Sequence, residues 1–284
     1  MTKVVALIGY PLQHSVSPSF QQAAFDFYQL DIRYEKWEAE APRLEATINR
    51  LRQPSVLGAN VTIPYKEAVI PLLDELDEVA RQIGAVNTIV QRDGRLLGYN
   101  TDAPGFVRAL CYDGEFEPRG KRAVLLGAGG AARAAAFGLV KEGVSCLTIV
   151  NRTLGRAESL ASVIGKAAGP HTEIVVLPWG EIESGKALAG CHLLVNCTSI
   201  GMRHSPTEGK SPLGAESLPR NALVCDLVYN PIETPLLKEA KKVGLRILGG
   251  LSMLVYQGAA SFEVWVGRKA PVDIMFRRAR ESLG

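Results

Sequence analysis

Residues 123–136 read AVLLGAGGAARAAA, and the order of residue types in this stretch decides the fold. Four apolar residues run into Gly127-Ala128-Gly129-Gly130-Ala131-Ala132, and an alanine-rich stretch follows. A short apolar run stopped by glycine reads as a buried strand, and the alanines after it read as a helix. G-x-G-x-x-A at such a junction is a dinucleotide-binding fingerprint. The glycines let the backbone turn tightly and approach a pyrophosphate, and the first amides of the helix favour its negative charge. An ordinary strand-to-helix turn is the plainer alternative.

On the C-terminal side, LTIVN at 147–151 gives the next strand, followed by Asn151-Arg152-Thr153. This is about 20 residues past the fingerprint, where an NAD-binding domain carries an acid for the ribose 2′-hydroxyl. A carboxylate would repel a 2′-phosphate, whereas the Arg152 guanidinium can pair with one bidentately, with Asn151 and Thr153 adding neutral hydrogen bonds. The cofactor expected is therefore NADP(H). Arg156 adds positive charge one turn on, or is simply a solvated helix arginine. Strand candidates at 173–177, 193–197, 222–227 and 245–248 complete six, the number in a whole dinucleotide-binding domain. NCTSIGM at 196–202 and DLVYNPIETPLL at 226–237 each follow an apolar run, which puts Thr198, Ser199 and Tyr229 at the carboxyl edge of the sheet. Contact with bound ligands and plain loop structure are both open to them. After Gly249 and Gly250 two helical patterns close the chain, the second starting at Pro271, and both are expected to pack on the N-terminal domain.

On the N-terminal side the pattern alternates: strands near 3–9, 32–38 and 56–63, helices from Pro18 and near 42–52, then helices to about Ile83. Asp93-Gly94 is a hairpin turn signal. GYNTDAPGFVRAL at 98–110 starts a helix that Thr101 or Asp102 can cap, with Pro104 in its first turn. The polar segment 113–120, DGEFEPRG, reads as a seam. Alternation of this kind implies an α/β protein with a mostly parallel sheet. Two residue patterns here bear on chemistry. HSVSPSF at 14–20 places Ser15 and Ser17 before a helix start, where two hydroxyls and helix amides can converge on one anion, or where one serine simply caps. GANVTIPYKE at 58–67 places Lys66 just past a strand end stopped by Pro64, which makes it either a functional ammonium or an exposed lysine opening the next helix.

The chain has 284 residues, 47% hydrophobic and 21% charged, enough for two globular domains. A formal net charge of +3, with Lys and Arg spread along the chain, shows no nucleic-acid or membrane footprint. Small anions remain suitable ligands. Five cysteines without C-x-x-C spacing read as reduced core thiols of a cytoplasmic protein, not as disulfides or a metal site. The start, MTKVVALIGYPLQHS, is too short in apolar residues for a signal segment or a membrane span.

Taken in order, HSVSPSF, GANVTIPYK, GAVNTI, GYNTDAPGF, GAGGAAR, NRT, NCTSIGM and GLSMLVYQGAASFEVW resemble the shikimate dehydrogenase family along essentially the whole chain. The resemblance implies NADPH-dependent reduction of 3-dehydroshikimate to shikimate, a step towards aromatic amino acids. It implies two α/β domains with the active site in the cleft between them: a substrate domain over 1–103 plus 250–284 and a Rossmann-type doubly wound NADP domain over 104–249. By motif position, Lys66 and Asp102 match the catalytic pair. Ser15 and Ser17, helped by Tyr229, match the residues that hold the substrate carboxylate. Asn60, Thr62, Asn87 and Gln257 match those around the substrate ring. Gly250 and Met253 match positions near the nicotinamide, and Thr198, Ser199, Met202 and Leu227 count with the cofactor contacts. Phe20-Gln21-Gln22 departs from the Met-His-Asn of many relatives, a difference expected to touch packing rather than chemistry. Three other readings compete: a quinate-oxidising enzyme of the same family, a non-catalytic sensor of the same ligands, and a folate-type NADP dehydrogenase. Retention of both Lys66 and Asp102 argues against the sensor, and the Ser15 and Ser17 pair argues against the folate enzyme. The resemblance leaves a homodimer open.

Overall fold

The computed structural model describes residues 2–183, 185–188 and 190–284, without the side chains of Glu183 and Lys186. The chain divides into two compact units, one of residues 1–105 with 255–284 and one of residues 106–254. Each has its own six-stranded sheet.

The first unit contains β1 (Lys3–Gly9), α1 (Ser17–Phe27), β2 (Ile32–Glu38), α2 (Leu44–Arg50), β3 (Val56–Val61), β4 (Glu75–Leu76), α3 (Glu78–Ile83), β5 (Thr88–Arg92) and β6 (Arg95–Tyr99), and α4 (Asp102–Arg108) starts at its end. Strand order is β2-β1-β3-β5-β6-β4. β1 pairs in parallel with β2 and β3, whereas β5 runs antiparallel to both β3 and β6. The antiparallel strand follows from the hairpin at Asp93-Gly94, where both residues have positive φ, 52° and 80°. Its consequence is directional: β1, β3 and β6 all end at one edge of the sheet, and β5 begins there. Ile8, Val61, Ile89 and Leu96 belong to the apolar cluster packed on this sheet.

The segment between β3 and α3 is not the continuous run of helices that its composition implies. It holds a single 3-10 turn at Ile70–Leu72 and the two-residue strand β4, pinned by Asp74 Oδ2 accepting from the Leu96 amide at 2.7 Å. Proline at 71 sets the turn and removes a helix donor. Asp77 then caps α3 by accepting from the Ala80 amide at 2.9 Å, and left-handed Gly84 ends it.

The second unit contains β7 (Arg122–Leu126), α5 (Gly130–Lys141), β8 (Cys146–Asn151), α6 (Leu154–Gly165), β9 (Glu173–Pro178), α7 (Gly180–Glu183), β10 (Leu193–Asn196), β11 (Leu223–Asp226), α8 (Pro235–Lys242) and β12 (Arg246–Gly249). Every pairing is parallel, in the order β12-β11-β10-β7-β8-β9. Counted from β7 this is 6-5-4-1-2-3, the doubly wound dinucleotide-binding order, with the strand order reversing between β7 and β10. The strands are buried on both faces, as Leu193–Asn196 and Leu223–Asp226 show throughout.

Helices α9 (Gly250–Val266) and α10 (Val272–Glu281) close the chain. The residues from Val255 onward pack within the first unit: Phe262 sits 5.5 Å from Phe25 between ring centroids, and Gln21 Nε2 donates to the Gly258 carbonyl at 2.8 Å. Gln22 accepts from the Tyr34 amide and donates to the Ile32 carbonyl, so this divergent stretch joins α1 to β2. Two expectations fail locally. Cys111 is exposed and Cys197 half-buried, so not all five thiols are core residues. The first amides of α4 are held by Asn100, whose Oδ1 accepts from Asp102 and Ala103 at 3.1 and 3.2 Å, because Thr101 and Asp102 turn their side chains to other partners.

Candidate active site and cofactor edge

In the first unit the shared strand edge gathers the predicted residues. Lys66 follows β3, Asp102 follows β6, and Asn87 immediately precedes β5, so three separated stretches meet because β3 and β6 end where β5 begins. Lys66 Nζ donates to Asp102 Oδ2 at 2.6 Å, with side chains 18% and 5% exposed. Asp102 Oδ1 accepts from Asn87 Nδ2 at 3.0 Å, and the same amide nitrogen reaches Gln257 Oε1 at 3.1 Å. Lys66, Asp102, Asn87 and Gln257 therefore form one hydrogen-bonded chain, with the ammonium at its more exposed end. Its orientation is fixed while a face remains accessible.

Behind this chain lies a layer of buried hydroxyls. Ser261, one helical turn beyond Gln257 on α9, is fully buried and contacts Thr88 Oγ1 at 2.7 Å, Asn60 Nδ2 at 2.9 Å and Thr101 Oγ1 at 3.0 Å, while donating to the Gln257 carbonyl. Asn87 Oδ1 accepts from the Thr101 amide at 2.7 Å. Asn60 Oδ1 accepts from the Tyr34 hydroxyl at 2.7 Å, and burial pushes that phenol's pKa far above its ordinary value. Asn60 thus spends both ends of its amide on protein partners. Tyr34, Thr88, Thr101 and Ser261 escape sequence reasoning as site residues. Thr101 lies inside a quoted motif and Ser261 stands four positions after Gln257, but only the packed edge reveals them as partners.

Ser15 and Ser17 follow β1 and so belong to the same edge. Ser17 is buried, Ser15 half-buried, and the Ser17 amide points to Ser15 Oγ at a long 3.4 Å. The first residues of α1 carry no side-chain cap, so neither serine is committed to capping. Thr62 is half-buried and tied by its amide to the Ile8 carbonyl.

In the second unit the fingerprint turn follows β7. Gly127 has φ 108°, a conformation that favours glycine, and a Cβ there would press on Cys197 and Thr198. A Cβ on Gly129 would meet no atom within 4 Å, so the entrance to α5 is open. Ala128 and Ala132 are buried against the sheet, while Gly130 and Ala131 are partly exposed. At the end of β8, Asn151 Nδ2 donates to the Thr153 carbonyl and holds the turn, leaving Arg152 exposed with no ion pair among the described residues. Room at Gly129, free amides at a helix start and an unpaired guanidinium fit a dinucleotide carrying an extra phosphate.

After β10, Thr198 folds back on Asn196, and Ser199 and Met202 are exposed. After β11, Leu227 is half-buried, and burial raises the pKa of the Tyr229 phenol. Gly250, opening α9, lies so close to the Leu227 and Val228 carbonyls that a Cβ would collide with them, and Met253 is buried one turn on. Among the described residues no cluster of His, Cys, Asp or Glu is arranged for a metal ion, and no helix is long and apolar enough to cross a membrane.

One unit with a doubly wound sheet and an open fingerprint turn, and another that carries an ordered lysine–aspartate pair, define an α/β protein of the dinucleotide-binding class. Family models sharpen this: the shikimate dehydrogenase substrate binding domain matches residues 7–89, shikimate / quinate 5-dehydrogenase matches 114–198, and the shikimate 5′-dehydrogenase C-terminal domain matches 250–280. The shikimate dehydrogenase (NADP(+)) of Moorella thermoacetica is 46% identical over 283 residues, covering 100% of this chain and 94% of the relative. The Thermus thermophilus shikimate 5-dehydrogenase structure in complex with NADP(H) and shikimate has a TM-score of 0.87 at 38% identity, covering 99% of this chain and 100% of that one. Quinate dehydrogenase from Corynebacterium glutamicum in complex with NAD has a TM-score of 0.89 at 32% identity over 99% of both chains. The chain belongs to the shikimate dehydrogenase family.

Proposed function

We propose that this chain catalyses the reversible, NADPH-dependent reduction of 3-dehydroshikimate to shikimate, in the cytoplasm. The observation that carries the reading is the Lys66–Asp102 pair, 2.6 Å apart at a half-buried strand edge and braced by Asn87. A binding module has no use for such an arrangement. NADPH, when bound, supplies the hydride. The Lys66 ammonium hydrogen-bonds the ketone oxygen on which negative charge develops and provides its proton from Nζ. Asp102 keeps Nζ aimed by accepting from it at 2.6 Å. Asn87 holds Asp102 from behind and is itself bonded to Gln257, and both stand with Thr62 around the substrate ring. Ser15 and Ser17 donate to the substrate carboxylate, together with Tyr229.

The substrate side belongs to residues 1–103 with 250–284, and the cofactor side to 104–249. The turn Gly127–Ala132 receives the pyrophosphate, and Asn151, Arg152 and Thr153 receive the adenosine end with its 2′-phosphate. Thr198, Ser199, Met202, Leu227, Gly250 and Met253 line the remainder. A spectrophotometric panel of shikimate and quinate, each with NADP and NAD, tests the proposal. Shikimate with NADP is expected to be the fastest pair. Faster quinate turnover with NAD would replace it by the quinate reading, and no turnover with any pair would leave the sensor reading.

A further inference from the structure

Asp226, the last residue of β11, is fully buried and takes no cation as partner among the described residues. An ionised carboxylate so placed costs several kcal/mol before its hydrogen bonds are counted, so an apolar residue would be the cheaper filler if packing were the only demand. Its three donors explain its presence. Oδ1 accepts from Asn196 Nδ2 at 2.9 Å and from the Val228 amide at 3.0 Å, and Oδ2 accepts from Thr234 Oγ1 at 2.6 Å. Each donor belongs to a different piece of the carboxyl edge.

Asn196 ends β10, and its Oδ1 accepts from both the amide and the hydroxyl of Thr198, at 3.1 and 2.7 Å. Thr198 Oγ1 in turn accepts from the Ile200 amide, closing the turn. Val228 lies between Leu227 and Tyr229. Thr234 caps α8 by accepting from the Leu237 amide at 3.3 Å. One carboxylate thus ties the turn after β10, the turn after β11 and the start of α8.

We propose that Asp226 is a positioning residue for the cofactor, acting through Asn196 on Thr198 and through the Val228 amide on Leu227, with Thr234 holding its second oxygen. This rests on the reading of Thr198 and Leu227 as cofactor contacts. Calorimetric titration of the full chain with NADP, alongside steady-state kinetics and urea unfolding, tests it. Asp226→Asn and Thr234→Val should weaken NADP binding by roughly 2- to 30-fold, the range for residues that act through a coupled network, with the KM for shikimate unchanged. Thr234→Ser, which restores the hydroxyl, should return NADP affinity to that of the original chain. Lowered unfolding midpoints with unchanged NADP affinity would overturn the proposal in favour of a purely structural role. Thr198→Val separates the two levels: if it leaves NADP affinity intact, the contact reading of that turn falls. If it weakens NADP while Asp226→Asn and Thr234→Val do not, only the positioning role falls.

Discussion

At Lys66 a flexible, strongly hydrated ammonium is held to one geometry by a carboxylate that is itself held by an amide, Lys66 to Asp102 to Asn87. Such a unit loses its function when either charged member goes. Lys66→Ala should lower turnover by roughly 10²- to 10⁴-fold, the usual range for a general acid, with calorimetric NADP affinity retained. Asp102→Ala should do comparable damage. Because each works through the other, the double variant should lose far less than the product of the single losses, and a multiplicative loss would refute the pairing. Serines 15 and 17 make a separate case, since neither is spent on a helix cap. Replacing either with alanine should cost about 1.5 to 3 kcal/mol in kcat/KM for shikimate, as for hydrogen bonds to a charged group, without touching NADP affinity. Unchanged kcat/KM in both variants would leave them as loop residues. Ammonium, carboxylate and serines were legible because each sits beside a strand-end or helix-start signal. Tyr34 and Ser261 were not, because a buried hydroxyl gives no local sign of the amide it will meet from a distant element.

Elements were legible where propensity and punctuation agreed. β1, β2, the hairpin of β5 and β6, and the fingerprint turn into α5 stand where their apolar runs and glycines put them. β4 was not, since a two-residue strand has no periodicity and exists only because β6 offers it an edge. The cap of α4 was misread for a related reason: Thr101 is a good capping residue locally, but its hydroxyl does better in the buried layer, and Asn100 takes the amides. The carboxyl ends of β10 and β11 carry a pH signature. Burial pushes the Asp226 carboxyl up to about 6, against the pull of its hydrogen bonds from Thr234, Val228 and Asn196, and its titratable neighbours are the Cys197 and Cys225 thiols. A folded-state pKa above the unfolded one means that the native state binds the extra proton. This group's stabilising contribution is therefore complete below the ordinary carboxylate range and is lost as pH rises through about 6. Urea unfolding of the original chain and of Asp226→Asn, compared at intervals from about pH 4 to pH 8, should show the original losing about 2 to 3 kcal/mol relative to the variant across that window. A pH-independent difference would mean that the carboxyl titrates normally.

At the scale of the whole molecule the two sheets have separate cores, one around Ile8, Val61 and Ile89 and the other around Val124, Leu194 and Val224. The fingerprint, with one strand candidate before it and five after it, announced the second sheet. The antiparallel β5 in the first was announced only by its turn, and it is that reversal which gathers Asn87 with Lys66 and Asp102. Arg152 and Ser17 lie in different units, so variants of the two should separate the effects of the two proposed ligands. A ligand that binds only the native state adds stability of RT ln(1 + [L]/Kd), about 2.7 kcal/mol at a hundred times Kd. NADP and shikimate, added separately, should each raise the midpoint of thermal unfolding of the original chain. Arg152→Ala loses a charge-assisted bidentate contact worth about 2 to 3 kcal/mol, so NADP affinity should fall by roughly 30- to 150-fold. The NADP-induced rise should then nearly vanish at the same concentration, while the shikimate-induced rise and NAD affinity stay as they were. Ser17→Ala should show the reverse pattern. Equal weakening of NADP and NAD in Arg152→Ala would mean that this guanidinium does not read the 2′-phosphate, and the exposed arginine at the end of β8 would be an ordinary surface charge.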